Sequence, residues 1–322
     1  MTQRIIVGDA IEVLQTLDDA SIHTCITSPP YYGQRDYNVE GQLGLEATPE
    51  EYVAALVTVF REVRRVLRDD GTVWLNLGDS YAGSGRGGNP ASSQFQKQAT
   101  NVGSITMKGS PIGVFEGIKQ KDLIGIPWRV AFALQADGWY LRNDIIWAKP
   151  NCMPESVRDR CTKSHEHIFL LAKSKRYYYD NEAIKEPVSE VSLKRAEYGW
   201  DCDRPSTKNA SMGGEGIHTK KMGTRFVNPS GKNKRDVWTV TAKPFKGSHF
   251  ATFPPDLIEP CILAGSPSSG TVLDPFAGSG TVGGVAAYHG RRSIMVELNT
   301  EYARMMPKRF KAVGEWMERR DA

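Results

Sequence analysis

The apolar run Thr271-Val272-Leu273 passes without a break into Asp274-Pro275-Phe276-Ala277-Gly278-Ser279-Gly280-Thr281. A short strand, a tight glycine turn and the start of a helix leave few architectures open. An open α/β sheet with a ligand crevice at its strand ends is the one that uses all three together. Glycine at 278 and 280 permits backbone conformations closed to other residues and a close approach to a ligand. Seventeen residues past Gly280, after the apolar run Ser293–Val296, stands Glu297. A carboxylate there can accept both hydroxyls of a ribose.

Several readings compete for such a loop. A phosphate-cradling loop requires a lysine after its last glycine, and Thr281 follows Gly280. A dinucleotide loop fits the spacing Gly278-x-Gly280-x-x-Gly283 formally. Asp274 tips the balance, because a carboxylate at the strand end repels a pyrophosphate and suits the cationic amino-acid end of S-adenosylmethionine. A helix-start turn with small residues for packing is the remaining reading.

The rest of the chain repeats the α/β pattern. Ile5-Ile6-Val7 reads as a strand ending at Gly8-Asp9, Ala10–Leu17 as a brief helix and Ile22–Thr27 as a second strand. Thr48-Pro49-Glu50-Glu51 carries a capping box with proline at the first helical position, opening a helix to about Leu67; Gly71–Leu77 is the next strand. A helix from Ile126 through Leu134 and strands over Trp139–Trp147 and His165–Leu171 follow. Continuous apolar strands alternating with helices predict a mostly parallel sheet covered on both faces.

Two stretches interrupt the pattern. Residues 83–120 are rich in Gly, Ser, Asn, Gln and Lys, and read as a flexible insertion or a loop that orders on a partner. Residues 181–247 are the second, and between Lys220 and Lys246 they hold eight Lys or Arg against the single acid Asp236. That excess suits either a solvated basic loop or a segment facing nucleic-acid phosphates.

Thr27-Ser28-Pro29-Pro30-Tyr31 is the sharpest chemical signal. Two prolines after a buried strand remove two amide donors and stiffen a carbonyl-rich edge. The Ser28 hydroxyl and the Pro29 carbonyl could each accept a hydrogen of an exocyclic base amine, favouring a tetrahedral nitrogen aimed at an activated methyl. Tyr31 offers a ring on which a base can stack. A base inside a duplex is out of reach of such a site, so the target must be flipped out. Methylation at cytosine carbon-5 would need a cysteine nucleophile. Pro260-Cys261 adjoin, but inside Ile258–Ile262, which reads as a packed helix.

On these two motifs the chain resembles the amino-methyltransferases of DNA, which modify cytosine N4 or adenine N6. Ile26-Thr27-Ser28-Pro29-Pro30-Tyr31 resembles that family's catalytic motif and Asp274–Thr281 its cofactor loop. The catalytic motif comes first, as in the permuted beta subgroup. The resemblance implies a seven-stranded, mostly parallel sheet with one reversed strand, and S-adenosylmethionine as cofactor. It implies catalytic roles for Ser28, Pro29, Pro30 and Tyr31. For the cofactor it implies Asp9 near the adenine, Glu297 on the ribose, and Thr27, Phe253 and Pro254 beside the loop residues Asp274, Pro275, Phe276, Ala277, Gly278, Ser279, Gly280 and Thr281. Phe253 and Pro254 belong to His249–Pro255, which resembles the stretch that helps hold the methionine part. His165-Glu166 resembles a further position near the target pocket with no role attached. Residues 1–180 would be the catalytic part, 181–247 the target-recognition region and 248–322 the cofactor-binding part.

Serine at 28 resembles the cytosine-N4 pattern, with adenine N6 as the alternative. An RNA methyltransferase and an inactive DNA-binding protein on this fold are the further alternatives. Double-stranded DNA is the expected partner; a homodimer and a cognate restriction endonuclease are further expectations. The five cysteines, Cys25, Cys152, Cys161, Cys202 and Cys261, lack paired spacing and read as free thiols of a cytoplasmic protein. No metal site is expected, since His165 and His167 have no cysteine pair nearby. The start of the chain lacks a signal-peptide pattern, and no run is long and apolar enough for a membrane span. The formal net charge of +4 permits a nucleic-acid partner without requiring one.

Overall fold

The computed structural model describes residues 2–34, 37, 39–83, 117–191, 231–242 and 253–322. Most of the two irregular stretches, and the basic cluster apart from Lys232, Lys234 and Arg235, therefore lies outside the described residues. Two compact units emerge: residues 1–180 with 236–322, and residues 181–235. Among the described residues of the smaller unit, Glu186 bridges Lys232 through paired backbone hydrogen bonds and its carboxylate meets Arg235.

The larger unit is built on one sheet, with strands β1 (Gln3–Val7), β2 (Ile22–Thr27), β3 (Leu67–Leu77), β4 (Tyr140–Ala148), β5 (His165–Ala172), β6 (Val237–Thr239), β7 (Thr271–Asp274) and β8 (Arg292–Glu297). Their spatial order is β1-β8-β7-β2-β3-β5-β4-β6. Every neighbouring pair is parallel except β5 with β3 and β5 with β4, so β5 is the one reversed strand. Seven strands were expected, and the sheet has eight among the described residues. The extra one is three-residue β6, which extends the β4 edge through Ile146 N–H to the Asp236 carbonyl at 2.8 Å. So short a strand leaves no periodic signature.

Helices α1 (Ala10–Gln15), α2 (Pro49–Val66) and α3 (Ile126–Ala136) share one hydrophobic core with the sheet, built around Leu14, Leu56, Phe60, Val63, Val130, Val73 and Leu75. Alternate residues of the same strands point the other way. There Thr24 and Trp74 meet the end of α4 (Pro255–Gly265), where a Cβ on Gly265 would lie 2.7 Å from Thr24 Oγ1 and 2.8 Å from Trp74 Nε1. The expected capping box is present: Glu51 N–H donates to Thr48 Oγ1 at 3.2 Å and Thr48 N–H to Glu51 Oε2 at 3.3 Å. Strand β3 begins at Leu67, where α2 turns straight into it, rather than at Gly71. Its far end leads to Asp79, whose carboxylate accepts the Gly125 and Ile126 amides and so caps α3.

Beyond the last expected strand lies a further helix, α6 (Thr300–Asp321), packed on α5 (Thr281–Tyr288). The glycines of α5 are its seat. A Cβ on Gly280 would stand 2.7 Å from Phe310, on Gly283 2.6 Å from the same ring, and on Gly284 2.8 Å from the Cβ of Val313. Gly284→Ala should therefore destabilise the protein. Overpacking costs about 1–3 kcal/mol, against roughly 1 kcal/mol regained from helix propensity. Denaturant unfolding should show a lower midpoint at an unchanged slope.

Candidate active site

Strand β2 leads toward β3 on one side, while its neighbour β7 leads toward β8 on the other. The crevice at their C-terminal ends is therefore a switch point, where connecting loops diverge and a ligand can enter. Cys25 sits beside Leu273 in the β2–β7 pair. Just beyond, Thr27 Oγ1 donates to Asp274 Oδ1 at 2.7 Å, across 247 residues of sequence. The two motifs singled out in the sequence thus meet at one end of one sheet.

Both motifs line a single cavity of about 250 Å³. Of the expected residues, Asp9, Ser28, Pro29, Pro30, Tyr31, Phe253, Pro275, Phe276, Ala277, Gly278, Ser279, Thr281 and Glu297 face it. Thr27, Pro254, Asp274 and Gly280 do not. Thr27 and Asp274 lie beneath the floor, bonded to each other. Pro254 caps α4. Gly280 is turned toward α6, where its missing side chain makes room for Phe310 and Met306. His249–Thr252 lie outside the described residues. Cys261 is buried within α4, with its thiol on the Leu257 carbonyl, as expected of a packing residue.

The loop Asp274–Gly280 is held by its own amides. Phe276 N–H donates to Asp274 Oδ1 at 3.1 Å, and Gly278 N–H to Glu297 Oε2 at 2.7 Å. Gly278 and Gly280 both take positive φ, +52° and +84°, as a turn this tight requires. The other Glu297 oxygen accepts the Asn299 amide at 2.8 Å. Asp274 is 1% exposed. Burial pushes its carboxyl up to about 7, against the hydrogen bonds from Thr27 and Phe276 and with help from the Glu297 charge. Burial also raises Glu297, opposed by its backbone donors. Ser279 Oγ is buried and has no hydrogen-bond partner among the described residues. A floor with two costly carboxylates and an unsatisfied hydroxyl is prepared for a ligand that is cationic and polar.

The Ser28–Tyr31 ledge is equally fixed. Tyr52, on α2, donates its hydroxyl to the Pro30 carbonyl at 2.8 Å, while Pro29 has no bonded partner among the described residues. Asp9 lines the cavity but spends one oxygen capping α1, accepting Ile11 N–H at 2.8 Å and Glu12 N–H at 3.1 Å. Tyr31 rests against Gly78, where a Cβ would stand 2.6 Å from its ring. Its hydroxyl donates to Glu166 Oε2 at 2.7 Å, lies 3.0 Å from Asn76 Oδ1 and receives Ser28 Oγ at 3.3 Å. Burial, with Glu166 beside it, pushes the phenol well above its usual range.

Several lining residues escaped the sequence reading. Glu166 lines the cavity, and the sequence attaches no role to it. Asn299 and Tyr302, at the start of α6, line the cavity, as do Tyr37, Gln42 and Leu43 from the loop after the di-proline. The helix-capping pattern at Asn299 was the one signal available for the first pair, whereas the loop residues have none.

The chain is similar to known proteins along most of its length. The family model for N6/N4 methylases, described as DNA methylase, matches residues 22–308. The Type II methyltransferase M.SmaI of Serratia marcescens is 47% identical over 306 residues, covering 95% of this chain and 90% of its own. The Type II methyltransferase M.Cfr9I of Citrobacter freundii is 45% identical, covering 92% and 83%. Among solved structures, PvuII DNA methyltransferase (cytosine-N4-specific) superposes with a TM-score of 0.61 at 18% identity, covering 98% of this chain and 92% of that one. A putative DNA modification methylase of Thermus thermophilus, complexed with S-adenosyl-L-methionine, gives 0.57 at 23% identity, covering 97% and 94%.

Proposed function

The chain belongs to the N6/N4 DNA methylase family, and from that premise we propose that it methylates the N4 amine of a flipped-out cytosine in double-stranded DNA, using S-adenosylmethionine. The single observation that carries the reading is the meeting of the Ser28–Tyr31 ledge and the Asp274–Gly280 loop at one cavity, locked by the Thr27–Asp274 hydrogen bond.

The residues present suit the cofactor. Asp274 and Glu297 are buried carboxylates whose ionised forms gain from a cationic ligand, and Ser279 Oγ awaits a polar partner. Glu297 would take the ribose, Asp9 and its surroundings the adenine, and Phe253 with Pro275–Ser279 the methionine part. Asp274 would act from beneath, through its charge. When bound, S-adenosylmethionine supplies an activated methyl group on a sulfonium. The protein's own work is placement: Ser28 Oγ and the Pro29 carbonyl accept the two amine hydrogens, so the nitrogen lone pair turns toward the methyl. Tyr31, pressed on Gly78, offers its ring to the extruded base.

Serine at 28 supports cytosine over adenine. The basic stretch of residues 181–247 supplies target recognition and residues 83–120 a further DNA contact, supported by their composition. The named Type II relatives support a setting with a cognate endonuclease.

Mass spectrometry of nucleosides from unmodified DNA treated with the protein and labelled cofactor tests the reading. N4-methylcytosine is the expected product. Only N6-methyladenine would overturn the choice of base, and methyl transfer to RNA but not DNA would overturn the substrate.

A further inference from the structure

We propose that Ser28, Tyr31 and Glu166 form a directed proton-exit chain for the base amine, in which Tyr31 and Glu166 act as positioning residues through the Ser28 hydroxyl. The proposal rests on the amine-methylation reading and adds to it a route for the departing proton and a role for Glu166.

Three oxygens lie in sequence along the cavity wall. Ser28 Oγ donates to Tyr31 Oη at 3.3 Å, and Tyr31 Oη donates to Glu166 Oε2 at 2.7 Å. The Ser28 proton is aimed at Tyr31 Oη, and the shorter of the two bonds open to the Tyr31 proton leads to the carboxylate, the longer to Asn76 Oδ1 at 3.0 Å. The Ser28 lone pairs are thereby left for the amine, and the oxygen becomes a stronger acceptor because hydrogen bonds in a chain polarise one another. Ser28, Tyr31 and Glu166 all line the same cavity.

The far end of the chain is anchored from several sides. Asn76 Nδ2 donates to Glu166 Oε2 at 3.2 Å and to the His167 carbonyl at 3.1 Å. Lys149 ion-pairs with the other Glu166 oxygen and sits 4.0 Å over the Trp147 ring. A Tyr–Glu pair with only a packing role would need neither the serine upstream nor a place on the cavity wall.

The chemistry balances without an added reactant. As the amine nitrogen forms its bond to the methyl carbon it takes on positive charge, and one N–H bond must break. That proton passes to Ser28 Oγ while the serine proton passes to Tyr31 Oη and the tyrosine proton to Glu166 Oε2. The product amine is neutral, both hydroxyls are restored, Glu166 is a neutral acid and Lys149 stays protonated. Once the product leaves, Glu166 returns its proton to water.

The test uses the full chain in single-turnover methylation of unmodified DNA with saturating labelled S-adenosylmethionine. Tyr31→Phe, which keeps the ring on Gly78, and Glu166→Gln, which keeps an acceptor for the phenol, should each slow transfer about 10²-fold. The double variant should be no slower than either single one, because both interrupt the same chain. Calorimetry should show unchanged cofactor affinity, and gel shift unchanged DNA affinity. The wild type should slow in heavy water, and Tyr31→Phe should lose that sensitivity. Should Glu166→Gln fail to fold, Tyr31→Phe and its isotope effect decide alone.

Transfer within about threefold of wild type in both variants, losses that multiply in the double variant, or a defect confined to cofactor affinity would overturn the proton chain while leaving the methylation reading in place. A wild-type protein that methylates no DNA would overturn both.

Discussion

A Ser28→Ala protein should transfer methyl groups about 10²–10³-fold more slowly than wild type, the loss seen when one positioned hydrogen-bonding group is removed from a reacting centre. Its cofactor affinity should be unchanged. Ser28 faces the cavity and bonds to Tyr31, whereas the loop Asp274–Gly280 is braced by its own amides, Glu297 and Thr27. Removing the hydroxyl therefore takes away an amine acceptor without disturbing the loop. Quench-flow single turnovers beside calorimetric titration separate the two effects. Equal losses in affinity and rate would place Ser28 with the cofactor instead.

The second large effect concerns Asp274, where stability and binding should move in opposite directions. Its folded carboxyl titrates at about 7, against roughly 3.9 in an unfolded chain. A raised folded value means that the stability linked to this group is fully present below pH 4 and is lost as pH rises toward and through 7. The ionised, buried carboxylate then weighs against folding by about 4 kcal/mol at pH 8. Asparagine carries no charge and keeps an oxygen for Thr27 Oγ1 and the Phe276 amide. Asp274→Asn should accordingly melt several degrees above the cofactor-free wild type at pH 8, with the gap closing toward pH 4. The same variant should bind S-adenosylmethionine about 10-fold or more weakly at pH 8, since the buried charge that the cation would offset is gone. Scanning calorimetry across this range, with and without cofactor, checks both halves. A gap that does not vary with pH would contradict the assignment of a buried, ionising carboxylate.

Much of the site was legible because two short motifs carry their own geometry. A di-proline closing an apolar strand and a glycine turn opening a helix mark strand ends, and strand ends are where open α/β sheets bind ligands. Neither motif discloses which strands are neighbours. The β2–β7 pairing that places Thr27 against Asp274 comes from sheet order, which local periodicity does not encode. Gly280 shows a related limit. In the sequence it belongs to the cofactor loop, whereas in the fold its bare Cα makes room for Phe310 and Met306 of α6. That contact is invisible without the second element.

Glu166 was harder still. It reads as one polar residue at a strand start, and it acquires meaning because the reversed strand β5 pairs with β3 so that Asn76 lies opposite Ile168, beside the Tyr31 hydroxyl. Asp79 is similar: nothing in the sequence says that it caps a helix 46 residues later. Long-range polar partners of this kind depend on tertiary arrangement, which one sequence does not display.

The central claim is that one cavity holds both the amine ledge and the cofactor loop. Crystallising the protein with target DNA and a non-reactive cofactor analogue tests it most directly. The account predicts an extruded cytosine whose N4 lies about 2.7–3.2 Å from both Ser28 Oγ and the Pro29 carbonyl, with the analogue against Pro275–Ser279 and its ribose on Glu297. A base amine bound away from residues 28 and 29, or an analogue in another cavity, would contradict it.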